Sequence, residues 1–171
     1  MDDVGALLAK ALAELRIFTY LLHPPNLTED GLRATLEEFS DGFAGRTGLR
    51  ASMRISGAVD RVPPEIQRTI LRIMQEALAN VHRHAGASEV HVAAKLSEGR
   101  LVLIVRDNGR GIKPANVTDG RPRLGVGIPG MRARLLQFNG NLKIRTGPWG
   151  TSLFAFIPLS SSTANDNRLA A

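Results

Sequence analysis

Glu76, Asn80 and Arg83 follow one another at intervals of four and three, which on an α-helix places a carboxylate, an amide and a guanidinium on one side. An amide oxygen and a carboxylate suit a hard cation such as Mg²⁺, which keeps several waters and takes its remaining ligands from phosphates. An arginine one turn further on can neutralise phosphate oxygens. Downstream, Asp107 opens the run Asp-Asn-Gly-Arg-Gly. Its carboxylate can accept a hydrogen bond from an amine such as the exocyclic amine of adenine, and Gly109 and Gly111 allow the backbone to approach a ligand. Gly125-Val126-Gly127 precedes a helical pattern, where free backbone N–H groups favour phosphate. Each feature alone has a plainer explanation: a solvated helix edge, an Asn-Gly turn, loop punctuation. Their order and spacing make the set specific. The P-loop signature and the strand-to-helix glycine fingerprint of dinucleotide folds are both absent.

The elements that must hold these groups are legible from periodicity. Pro63-Pro64-Glu65 opens a long helix. Ile66, Ile70, Ile73, Met74, Ala77, Leu78 and Val81 form its apolar arc, roughly 120° wide, and Gly86 stops it. Glu76, Asn80 and Arg83 flank that arc, where a cleft would have its polar wall. Val90, Val92, Ala94 and Leu96 alternate as a half-buried strand, and a tight turn leads to the fully apolar strand Leu101 to Arg106, expected to be central. Residues 108–130, rich in Gly and Pro, form a long loop, and helical spacing resumes from Gly127 to Phe138. Two strands, Leu142 to Arg145 and Ser152 to Ile157, surround a Gly147-Pro148-Trp149-Gly150 turn. Upstream, residues 3–22 carry Leu7, Leu8, Ala11, Leu12, Leu15, Phe18, Leu21 and Leu22 at helical spacing, a stripe that must bury against something. His23-Pro24-Pro25 ends that helix. A second helix is expected from Glu29 to Phe43 with Thr28 as cap, then a turn at Arg46-Thr47-Gly48 and a strand from Leu49 to Ser56.

The chain has 171 residues, 43% of them hydrophobic, which suits one compact domain with short appendages. Cysteine is absent, so disulfides and thiolate metal sites are excluded. The longest strongly apolar run, Leu101 to Val105, is too short to span a bilayer, and the N-terminus lacks the order of a signal peptide. A cytoplasmic, soluble chain is expected, compatible with a longer, membrane-attached parent. The net charge of +6 favours anionic partners. Aromatics are only 5% and no dense Lys/Arg block interleaves with them, so nucleic acid is not expected as a partner.

The segment Gln75-Glu76-Ala77-Leu78-Ala79-Asn80-Val81-His82-Arg83-His84-Ala85 resembles the N box of two-component sensor histidine kinases. Val105-Arg106-Asp107-Asn108-Gly109-Arg110-Gly111-Ile112 resembles their first glycine box, and Gly125 to Arg134 the second. Gly150-Thr151 stands where the closing Gly-Thr of the nucleotide pocket is expected. The resemblance covers about Leu49 to Leu159. The glutamate four residues before Asn80 and the Arg-His-Ala after it are similar to kinases that pair with helix-turn-helix response regulators. Leu21 to Leu36 looks like their second dimerisation helix and its link to the catalytic domain.

The resemblance implies an α+β fold, a two-layer sandwich of the Bergerat ATP-binding type, with a mixed sheet under about three helices and an N-terminal helical segment. It divides the chain into a dimerisation-helix remnant and linker at 1–44, a catalytic ATP-binding domain at 45–160 and a disordered tail at 161–171. It implies ATP and Mg²⁺ as cofactors, with Asn80 and Glu76 at the metal and as the catalytic pair. Glu76 would orient a metal-bound water or bear on the attacking group. Asp107 would bind the adenine amine with Thr151 supporting it. Gly109, Gly111 and Ile112 would face the base, and Arg83 and His84 the phosphates. Gly125, Val126 and Gly127 would close a lid formed by 112–126. The implied partners are a phosphoacceptor histidine on a dimerisation helix expected upstream, a response-regulator receiver domain and, in the full-length protein, a second protomer. His23, before two prolines and without an acidic neighbour, does not fit the acceptor; His82 and His91 read as structural. Two alternatives remain at this point: a GHKL-type ATPase using Glu76 as general base for water, and a serine kinase resembling anti-sigma factors.

Overall fold

The computed structural model describes residues 2–22, 27, 30–112 and 127–159. Helix α1 (Asp2–Leu22) and helix α2 (Gly31–Thr47) lead into strand β1 (Arg50–Ile55). A short 3₁₀ turn (Gly57–Arg61) precedes helix α3 (Pro64–Asn80), which continues as a π-helical turn (Val81–Ala85). Strands β2 (Glu89–Ser97) and β3 (Arg100–Asp107), helix α4 (Gly127–Leu136), and strands β4 (Asn141–Gly147) and β5 (Gly150–Pro158) complete the order.

The five strands form one mixed sheet in the order β1-β2-β3-β5-β4, with β1 parallel to β2 and every other pair antiparallel. The apolar strand β3 is central, as its unbroken run requires. Alternation sets which residues meet the helices: Val90, Val92 and Ala94 on β2, Leu101, Leu103 and Val105 on β3, and Leu153, Ala155 and Ile157 on β5 are all buried. Against them α3 presents Ile70, Ile73, Met74 and Leu78, each fully enclosed. Burying one such side chain stabilises the fold by about 1.5–3 kcal/mol, so this single stripe fixes α3 over the sheet. Pro64 in the first turn and Glu65 beside it favour the helix start. Helices α2 and α4 pack beside α3, with Phe39, Phe43, Met131 and Leu135 buried. The expected two-layer architecture is therefore the observed one.

Two local expectations about α2 are corrected. Helix α2 runs through Arg46 and Thr47, beyond the expected end at Phe43, and Gly48 in a left-handed conformation ends it. Asp30, not Thr28, precedes the helix and makes no side-chain cap; Thr28 lies outside the described residues. The stripe of α1 is buried only at its C-terminal end, by Ile17 and Leu21 with half-buried Phe18. Leu7, Leu8, Leu12 and Leu15 are 47–62% exposed. The docked end is held by the Tyr20 ring stacked on Phe39, by its hydroxyl donating to the Phe39 carbonyl (2.9 Å), and by His82 Nε2 paired with Glu14 at 3.0 Å. Burial pushes the Tyr20 phenol pKa above its ordinary value, against the opposing pull of Arg46.

Candidate nucleotide site

Between α3, the end of β3, the start of α4 and the β4–β5 turn lies a cavity of about 520 Å³. Its lining brings together Asn80, His84, Asp107, Gly111, Ile112, Gly127 and Thr151. These come from all the motifs that sequence spacing singled out. Gly125 and Val126 lie outside the described residues.

Asp107 is the best-fixed group. It ends the central strand and is 6% exposed. Its Oδ1 accepts from the Gly109 N–H at 2.8 Å and from the Thr151 N–H at 3.2 Å. One carboxylate oxygen thus closes the glycine turn and ties it to β5, while Oδ2 accepts nothing from the described residues. The glycines follow from close approach. A side chain at Gly109 would overlap the Ala85 carbonyl, and one at Gly111, whose φ is +71°, would overlap the Gly147 carbonyl. Thr146 joins the same corner: its hydroxyl receives the Ile112 N–H at 2.7 Å and meets the Thr151 hydroxyl at 3.3 Å.

The opposite wall is the end of α3. The change from α to π winding at Val81 re-aims the side chains beyond Asn80. His84 turns into the cavity, whereas Arg83 is exposed, with its guanidinium 5.2 Å from the Phe18 ring centre on α1. The expectation that Arg83 shares one face with Glu76 and Asn80 assumed continuous α winding, and the wider turn breaks that phase. Glu76 and Gly109 are also outside the lining. The Glu76 carboxylate lies against the Cα of Gly127, where a β-carbon would overlap Oε1. It therefore meets the first residue of α4 and not the cavity floor.

Residues not singled out complete the cavity. Ala77, Val81, Val105, Ile128, Met131, Ile144 and Leu153 supply an apolar wall. Their sequence signal is the same periodicity that marks core, so nothing separated them from it. Arg110 also lines the cavity. Its Nε donates to the His84 carbonyl at 2.8 Å and its backbone N–H to the Ala85 carbonyl at 2.9 Å, so it caps the C-terminal carbonyls of the π turn from across the cleft.

An apolar cavity with a carboxylate oxygen that has no partner among the described residues fits a base that presents an amine. Asn80 and Glu76 have no side-chain hydrogen-bond partner among the described residues, and their amide and carboxylate oxygens are the donor types a hard cation takes. Among the described residues no cluster of three His, Cys, Asp or Glu side chains could hold a metal.

Residues 65–161 match the family of histidine kinase-, DNA gyrase B- and HSP90-like ATPases. The sensor histidine kinase MctS of Rhizobium johnstonii is 37% identical over 153 residues, 89% of this chain and 33% of that protein. The signal transduction histidine-protein kinase/phosphatase DegS of Brevibacillus brevis is 31% identical over 160 residues, 93% of this chain and 40% of its own length. The chain thus spans well under half of these relatives. Among solved structures, the blue-light activated histidine kinase of Erythrobacter litoralis EL346 superposes with a TM-score of 0.65 at 24% identity, over 77% of this chain and 43% of that one. The Acinetobacter baumannii histidine kinase AdeS does so at 0.60 and 15% identity, over 91% and 80%. The chain belongs to the histidine kinase-, DNA gyrase B- and HSP90-like ATPase family.

Proposed function

We propose that this domain binds ATP with Mg²⁺ in the Asp107 cavity and presents the γ-phosphoryl group to a histidine on a dimerisation helix. The observation that carries the reading is the pairing of Asp107 and Thr151 at one end of a single cavity with Asn80 and His84 at the other. Asp107 Oδ2 receives the adenine amine, and the apolar wall holds the ring. Asn80 would hold the cation, and Glu76 would orient a water beside it or bear on the attacking group. When bound, the cation supplies charge neutralisation at the phosphate oxygens. In the transfer, the bond from Pγ to the bridging oxygen breaks and a bond to the acceptor imidazole nitrogen forms. The imidazole proton passes to a base beside that histidine, and ADP leaves. Positioning and charge neutralisation dominate such a step, which suits a site with no protein nucleophile.

None of the four histidines here is followed by an acidic residue. His82 is committed to Glu14, and His23 lies outside the described residues. The acceptor is therefore placed on another segment, and relay to a response-regulator aspartate and homodimerisation of the whole protein follow as parts of the same proposal. The exposed leucines of α1 support the last of these. Among the described residues no helix is long and apolar enough to cross a membrane, in keeping with a domain working in the cytoplasm.

The test is calorimetry with ADP and ATP, with and without Mg²⁺, followed by labelled ATP with and without a separately supplied dimerisation helix carrying a histidine. Acid-labile label should appear only on the supplied helix. Label on this chain would contradict the acceptor assignment. Steady ATP hydrolysis lost in Glu76→Gln would instead favour the ATPase reading.

A further inference from the structure

The charge of this chain is not spread evenly. Helices cover one face of the sheet; the other, marked by the alternate exposed positions of each strand, is uncovered among the described residues. Strand register sets Arg54, Ala93, Ile104, Phe154 and Lys143 in one row across it, with Arg106 and Arg145 in the next row and Lys95 beside Val102 on the far side. Arg50 and Arg100 on this face are paired, with Glu89 and Glu98. Arg54, Lys95, Arg106, Lys143 and Arg145 have no carboxylate partner among the described residues. Five uncompensated cations thus sit on one face of a chain whose net charge is +6.

The centre of the face is apolar. Phe154 and Phe156 lie nearly parallel, 6.4 Å apart, with the Arg145 guanidinium 5.7 Å from the Phe154 ring centre. Val102 is 8% exposed yet stands apart from the main core, so these side chains form a second, smaller apolar cluster. At the rim, Trp149 in the β4–β5 turn is 77% exposed. A half-buried apolar centre, a cationic perimeter richer in Arg than Lys, and an exposed indole reproduce the composition of a protein–protein interface. A lipid surface would be served equally by lysines and needs no such centre.

We propose that this uncovered sheet face docks an acidic protein surface. The face is about 20 Å on each side by strand spacing and rise. That is of the order of 400 Å², below the ~800 Å² per partner of a stable interface, so the contact belongs to the transient, salt-sensitive class. It does not depend on the nucleotide reading, since none of these cations lines the Asp107 cavity.

Trp149 is the only tryptophan, so its emission reports on this face directly. The probes are a synthetic peptide alternating glutamate and leucine, the same peptide with glutamine for glutamate, vesicles of phosphatidylserine and phosphatidylcholine, and single-stranded oligothymidylate. The glutamate peptide should shift Trp149 emission saturably, and the glutamine peptide should not. The double variant Lys143→Glu, Arg145→Glu should weaken binding at least about tenfold while keeping its ADP affinity. Should that variant lose its thermal transition, salt on the unaltered chain decides: binding must fall steeply as ionic strength rises. Equal binding of both peptides, insensitivity to salt, tighter binding of vesicles or oligothymidylate, or no binding of the glutamate peptide would each overturn the proposal.

Discussion

At one end of the cavity Asp107 stands on the central strand with one oxygen already shared between two backbone N–H groups; at the other, the side chains of Asn80 and His84 have no hydrogen-bond partner among the described residues. The first end is part of the fold. Its glycines, its carboxylate and the β4–β5 turn hold one another, so its shape exists before any ligand arrives. The second end carries groups whose hydrogen-bonding capacity is left for something else. A change at the base end should therefore cost either selectivity or stability, depending on which atoms it removes. A change at the phosphate end should cost ligand affinity and leave the fold alone.

The comparison can be broken most severely at Asp107. Asp107→Asn keeps an oxygen for Gly109 and Thr151 but turns the cavity-facing atom from acceptor to donor. Adenine-nucleotide affinity should fall at least about 100-fold, or roughly 3 kcal/mol, with little change in melting temperature. Asp107→Ala should in addition strand the buried Gly109 N–H, at about 1–3 kcal/mol, and the half-buried Thr151 N–H at less, and melt lower. Next, Gly111→Ala imposes a positive φ on a side chain that meets the Gly147 carbonyl. We expect about 2–4 kcal/mol of lost stability in denaturant unfolding; an unchanged midpoint would show that the turn is not locked. At the other end, Asn80→Ala should weaken ADP binding about tenfold with Mg²⁺ and hardly at all without it, at unchanged stability. Equal loss in both conditions would deny Asn80 a metal role. The smallest effect belongs to Arg83→Ala. Its contact with Phe18 is worth about 0.5–1 kcal/mol, so ADP affinity should shift by no more than about twofold. A tenfold loss would show that Arg83 swings to the phosphates when nucleotide binds.

The strand and helix order was legible because burial here is strongly periodic: β3 reads as an unbroken apolar run, and α3 as one narrow stripe. Asp107 and Gly111 stood out through the Asp-Asn-Gly-Arg-Gly turn, whose glycines meet backbone carbonyls that leave no room for a side chain, whereas Thr151 was reached only through the family resemblance. Arg83 illustrates what was not. Its direction depends on a π turn that no periodicity announces, so spacing gave no sign of its contact with Phe18. Arg110 stood within a quoted motif, yet its bond to the His84 carbonyl is a contact across 26 residues that spacing does not encode. The α1 stripe shows another limit. Helical periodicity says that a face is apolar, not what covers it, and here only the last turns of that face meet the domain.

The central claim is that Asp107 reads an adenine amine inside this cavity. It is tested most directly by titrating ADP and inosine diphosphate, each with Mg²⁺, into the unaltered chain and into Asp107→Asn. The two bases differ at position 6, an amine in one and a carbonyl in the other. The unaltered chain should prefer ADP, and the asparagine variant, offering a donor where the carboxylate was, should lose that preference or invert it. Equal affinity of the unaltered chain for both nucleotides, or an ADP preference that survives the substitution, would contradict the account.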